Sequence, residues 1–278
     1  MDHRARWLLA VALMWATTAQ AQVEPDTGPA TASSAPLKLW ARVTALIAPP
    51  PGAQALATGT AFFVPSSDAQ PRLMTVGHLV DGCLRIDLVS EGLPTTRAEL
   101  MSVTMAPEAA MLRVPQMPPA QLLPITLTFR PLADPPTTPG TKLTVLGFPT
   151  GADLLKSTII EMTDITDSVP KPPKVRGYVL VQGEGATGFS GAPILNARGQ
   201  VVAIFHGRII DPEKAVSLMG APLEHVSEGP TAMAINEGFF LKHPVGAMPV
   251  SSGTDDFAPE KARPAVARVV CWRERATR

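Results

Sequence analysis

The sequence predicts an all-β protein, a sandwich or barrel assembled from two groups of short strands. Three observations carry that expectation. Thirty prolines and 21 glycines stand among 278 residues, a composition that favours turns over long helices. Short apolar runs recur along the chain, each bounded by Gly, Pro or polar residues. A proline-rich join, "PLADPPTTPG" at 131–140, divides the runs into two similar groups.

The elements follow in order. Residues 1–21 carry Arg4 and Arg6, an apolar run from Trp7 to Ala16, and the small-x-small site Ala19-Gln20-Ala21. That is the pattern of a cleaved secretory signal, and the run is short for a bilayer-spanning helix. Residues 22–38, rich in Pro, Ala, Ser and Thr, read as a flexible leader. The first strand group is "GTAFFV" (59–64), "RLMTV" (72–76), "LRIDLV" (84–89), "AELMSV" (98–103), "AAMLRV" (109–114) and "ITLTF" (125–129). The second is "KLTVLGF" (142–148), "STIIEM" (157–162), "GYVLVQ" (177–182), "APILN" (192–196), "QVVAIF" (200–205) and "TAMAI" (231–235). "GFFLKH" (238–243) reads as a closing helical turn, and 244–278 as a loose Pro/Ala-rich C-terminal tail.

Composition excludes some functions. Hydrophobic residues make up 45% of the chain and charged ones 17%, with no net charge. A core is affordable and a basic nucleic-acid footprint is absent. Cleavage of the signal would remove Arg4, Arg6 and Asp2, leaving a net charge of −1 and still no polyanionic partner. After cleavage no stable membrane association is expected, and the location is periplasmic or secreted. The two cysteines, Cys83 and Cys271, form an even pair bound for an oxidising compartment. They either join in a disulfide or remain two thiols. They lie too far apart in sequence for a cysteine metal motif, and neither an HExxH nor a glycine-rich phosphate loop is present, so no cofactor or metal is expected.

The chemistry concentrates in "TGFSGAPIL" (187–195), where a Gly-x-Ser-Gly segment sets Ser190 between Gly188 and Gly191, with Ala192 and Pro193 following. A serine nucleophile requires a base, and histidine is the usual one at neutral pH. His78, in "LMTVGHLVDGC", follows an apolar strand, where a strand-end loop would present its ring.

Taken together, "GTAFFV", "TVGHLV", "AAMLRV", "LGFP" and "GFSGAPILNARGQVVAI" resemble the chymotrypsin-like serine peptidases, most closely the bacterial periplasmic trypsin-like branch. The resemblance spans about residues 57–240. It implies two six-stranded antiparallel β-barrels with the active site in the cleft between them. The peptidase domain would cover 39–243, with barrel 1 about 39–130 and barrel 2 about 141–243. It further implies His78 as base, Ser190 as nucleophile, and an oxyanion hole from the N–H groups of Gly188 and Ser190. The family's acid is usually an aspartate about thirty residues after the histidine; here "PEAAMLRV" places Glu108 there. Asp81 follows His78 too closely to reach its ring, and Asp87 stands on another segment.

The resemblance also implies a substrate pocket near Glu184, Thr187, Phe205 and His206. Glu184 occupies the position of an acid in basic-specific members. His206 is offset by one from a histidine of glutamate-specific relatives, which on a regular strand reverses its face and leaves Phe205 toward the pocket. The implied partner is a protein or peptide substrate, with no PDZ module expected after residue 240. Glu108 in place of aspartate keeps open a weakened or inactive fold acting as a binding protein, and an esterase would use the same acyl chemistry.

Overall fold

The computed structural model describes residues 48–274 except 67–69, 92, 106–107, 118–125, 132–133, 136, 139, 151–153, 163–177, 184, 186, 209–230 and 237–256. The expected signal and leader, the helical turn at 238–243 and Glu184 therefore lie outside the described residues.

Twelve strands appear among the described residues. They are β1 (Ala53–Val64), β2 (Arg72–Val76), β3 (Arg85–Ser90), β4 (Thr96–Met105), β5 (Glu108–Arg113), β6 (Lys142–Gly147), β7 (Lys156–Met162), β8 (Tyr178–Gly183), β9 (Pro193–Leu195), β10 (Val201–Arg208), β11 (Thr231–Asn236) and β12 (Val266–Glu274). Two short helices, α1 (Gly77–Val80) and α2 (Pro259–Ala262), flank them, α2 running into a 3₁₀ turn at Arg263–Ala265. The strands close into two antiparallel barrels, ordered β1-β12-β3-β4-β5-β2 and β10-β11-β8-β7-β6-β9. Closure leaves neither sheet with a free edge.

Barrel 2 is built from the six runs expected of it. Barrel 1 is not, and the correction concerns its sixth strand. "ITLTF" is no barrel strand. Its described part is an extended connector in which Leu127 N–H donates to Phe63 O (2.8 Å) and Thr128 O accepts from Val201 N–H (2.9 Å). It therefore stitches β1 of one barrel to β10 of the other. The sixth strand is β12, from the segment expected to be a loose tail. It pairs with β1 from Ala53↔Glu274 to Phe62↔Val266 and with β3 from Ala267↔Ser90 to Trp272↔Arg85. The reason is burial. Val266–Trp272 is apolar except for Arg268, carries three valines and a tryptophan that suit a pleated surface, and is buried on both faces. At about 25 cal/mol per Å² of apolar area, that burial outweighs the Pro/Ala character of the residues before it.

β12 is fastened at several points. Trp272 Nε1 donates to Asp87 Oδ2 (2.7 Å), and Arg85 Nε donates to the same oxygen (2.8 Å). Leu84 N–H donates to Trp272 O (2.7 Å). Cys83 and Cys271 are joined by a disulfide across 188 residues, with their Cα atoms 5.5 Å apart. Among the described residues no helix is long and apolar enough to cross a membrane.

Candidate active site

β2 ends at Val76 and the chain turns at once into the single turn of α1, which carries His78 with its ring exposed. The turn is held from behind by β12. Arg273 Nη2 donates to His78 O (3.2 Å) and Asp81 O (2.7 Å), and the disulfide anchors Cys83 five residues after His78.

Glu108 opens β5. Its Oε2 lies 3.0 Å from His78 Nδ1. An ionised carboxylate only accepts, so this contact places the ring proton on Nδ1 and leaves Nε2 as an acceptor. The extra methylene of glutamate is thus accommodated, with its side chain 11% exposed. The Glu108 N–H donates to Tyr178 Oη (2.9 Å), a tie from barrel 1 to β8 of barrel 2. Tyr178 is the chain's single tyrosine, and burial pushes its phenol up to about 12.

His206 corrects the sequence expectation. β10 bulges where Phe205 faces Ala234 and Gly207 faces Met233, so His206 has no Cα partner on β11. A bulge breaks the two-residue alternation and re-aims a side chain. Phe205 and His206 are therefore both buried. Phe205 sits in the barrel 2 core, edge-on to Phe189 at 6.1 Å and directly under Gly185. His206 turns to the acid: its Nε2 lies 3.5 Å from Glu108 Oε2, and its ring stands edge-on to His78 (5.1 Å) and Tyr178 (5.2 Å). Thr187 is exposed at the start of the serine turn.

Two imidazoles on one carboxylate shape its acidity. Burial raises the Glu108 pKa, but hydrogen bonding and charge from His206 and His78 outweigh it and hold the group at about 2. Burial, only partly offset by Glu108, lowers the pKa of His206 and favours its neutral form.

Ser190 lies half-buried in the turn between β8 and β9, and that turn is bound to barrel 1. Thr60 N–H donates to Ser190 O (2.8 Å), and Thr60 Oγ1 donates to Gly188 O (2.9 Å) while accepting from Phe148 N–H (3.0 Å). Thr75 Oγ1 donates to Thr60 O (2.7 Å), three residues before His78. The hydroxyl-bearing turn and the histidine-bearing turn thus rest on the same pair of strands, β1 and β2.

The two amides of the turn are set by their own peptide planes. In a trans peptide the C=O and N–H point oppositely. Thr187 O accepts from Thr150 N–H (2.6 Å), so Gly188 N–H faces away from Thr150. Phe189 O accepts from Ala192 N–H (2.8 Å), so Ser190 N–H faces away from Ala192. Gly188 has φ +97°, and a Cβ there would collide with Phe148 O; Gly191 has φ +84° and lies against Thr60 O. Both need glycine.

Two interlocked barrels with a His–carboxylate pair and a glycine-flanked serine turn at their junction define the class of the protein: a double-barrel fold of the serine-hydrolase type. The family model described as "Trypsin-like peptidase domain" matches residues 59–204, more than half of the chain, and the chain belongs to that family. It is 26% identical over 166 residues to the serine protease Rv3671c of Mycobacterium tuberculosis strain H37Rv, and equally to serine protease MT3772 of strain CDC 1551. The match covers 58% of this chain but only 38% of those relatives' length. Among solved structures, the inactive form of Rv3671c protease is 24% identical with a TM-score of 0.49, covering 76% of this chain and 96% of that one. A human astrovirus serine protease is 16% identical with a TM-score of 0.42, covering 64% and 82%.

The sequence named His78, Glu108 and Ser190 but missed Thr60, Thr75, Tyr178 and Arg273. Only Tyr178 carried a signal, as the single tyrosine in a strand of an aromatic-poor chain.

Proposed function

We propose that the protein is an exported serine endopeptidase that cleaves peptide bonds through Ser190, His78 and Glu108. The observation that carries this reading is the 3.0 Å contact between His78 Nδ1 and Glu108 Oε2, which fixes the tautomer a general base needs. His78 Nε2 takes the Ser190 proton as Oγ attacks the carbonyl carbon of the substrate. The oxyanion is met by the N–H groups of Gly188 and Ser190, and the protonated imidazole, stabilised by ionised Glu108, gives its proton to the leaving amine. Water then enters, His78 accepts its proton, and the acyl-enzyme is hydrolysed back to free serine.

The experiment pairs a fluorophosphonate probe with a casein-type substrate. Labelling and cleavage are expected in the unmodified chain, no labelling in Ser190→Ala, and a loss of turnover on the order of 10⁴-fold or more in His78→Ala. A folded chain that neither labels nor cleaves would leave a binding protein on the same fold. Export is tested by fractionating cells that express the full chain.

A further inference from the structure

We infer that His78, Glu108 and His206 together form a binding site for a divalent ion of the zinc type, and that occupancy switches off the base. Among the described residues these three bring their ligating atoms within 4.8 Å of one another. Two of the separations, 3.0 Å for His78 Nδ1 and 3.5 Å for His206 Nε2 to Glu108 Oε2, lie near what coordination requires. Ligands about 2.0–2.2 Å from a tetrahedral ion stand about 3.3–3.6 Å apart. The two imidazole nitrogens, up to 4.8 Å apart, are the wider pair, and seating an ion requires the exposed His78 ring to swing about 1 Å toward buried His206 while the carboxylate draws back slightly. Two imidazoles and one carboxylate are a zinc donor set with a fourth position left for water, whereas calcium and magnesium call for oxygen ligands.

The site is pre-organised. His206 is buried and wedged edge-on between His78 and Tyr178, and the Glu108 backbone is tied to Tyr178. His78, with a side chain 39% exposed, leaves an approach from solvent.

Coordination changes the base. A neutral imidazole has one proton and one lone pair. When an ion takes the Nδ1 lone pair of His78, the proton moves through solvent to Nε2; His206, ligating through Nε2, carries its ring proton on Nδ1. His78 Nε2 is then a donor and accepts nothing from Ser190. The inhibition rests on the peptidase reading, whereas the binding does not.

The test uses the full chain. Cobalt(II) is titrated into Ser190→Ala and followed by the visible absorption of tetrahedral cobalt, with zinc as displacer. Saturable absorption is expected, and His206→Phe, which keeps a ring against Tyr178 but removes the ligand, weakens it by more than about tenfold. Should circular dichroism show that His206→Phe does not fold, Glu108→Gln takes its place with the same expectation. In the unmodified chain, zinc lowers turnover in step with occupancy and a chelator restores it, while the turnover remaining in His206→Phe is insensitive at the same concentration. No cobalt absorption in folded Ser190→Ala, or equal zinc inhibition in His206→Phe, overturns the site. Cobalt binding in a chain without peptidase activity would uphold the site and remove the peptidase reading; activity with no metal binding would do the reverse.

Discussion

The two barrels solve the same closure problem differently. Barrel 2 closes with strands that all fall between residues 142 and 236. Barrel 1 takes five strands from residues 53–113 and borrows β12 from 266–274, across the whole of barrel 2. His78 and Glu108 sit on the barrel closed at long range, and β12 grips the backbone beside His78 through Arg273 and the disulfide. The serine turn sits on the locally closed barrel, and Thr60 lashes it to the other. The strand that closes barrel 1 therefore also holds the His78 turn, whereas the serine turn of barrel 2 is held from the other barrel.

The comparison can be broken at several points, the largest effect first. Glu108→Gln removes the acceptor that holds the His78 tautomer, and turnover should fall by up to about 10⁴-fold with the fold retained. Steady-state kinetics beside circular dichroism check this. The same variant has a signature in acid. The Glu108 pKa is held at about 2 against an ordinary 4.5, so its stabilisation is full above about pH 4.5 and lost as pH falls toward 2. The stability gap between the two proteins should shrink across that window, as read by denaturant midpoints.

Gly188→Ala strikes the serine turn. With φ +97° and Phe148 O in the way, the peptide must shift, and kcat should drop about 10²- to 10³-fold while barrel 1 is unaffected. Loss of barrel 1 amide protection in this variant would show the barrels to be more coupled than described.

Cys83→Ser with Cys271→Ser should cost about 2–5 kcal/mol of stability. Hydrogen exchange should show the loosening in β1, β3 and β12 and leave β8–β11 protected; uniform loosening would erase the contrast between the barrels. The smallest effect is expected of Thr60→Val, which keeps the shape but removes the hydroxyl serving Gly188 and Phe148. A kcat lowered by about tenfold, with KM little changed and Thr60→Ser restoring it, fits one buried hydrogen bond that sets an amide.

Much of this was legible beforehand because it is local. Strand periods, turn residues and the order of His78, Glu108 and Ser190 survive in sequence, and eleven of the twelve strands overlap runs that pattern alone picks out. β12 was obscured by its setting: Val266, Val269, Val270 and Trp272 carry strand character, yet they follow a Pro/Ala-rich stretch. The side on which His206 lies is not legible in sequence, because alternation assumes a regular strand and the bulge at Phe205/Gly207 is a property of the pairing with β11.

The sequence by itself determined the all-β class, the two strand groups and which residue types could act as nucleophile, base and acid. Those follow from the chemistry of single side chains and from periodicities only a few residues long. Tertiary structure decided which segment closes barrel 1, that Cys83 meets Cys271, and that one carboxylate faces two imidazoles. Such choices compare burial and hydrogen bonding between segments up to 188 residues apart, and no local pattern records the outcome of that competition.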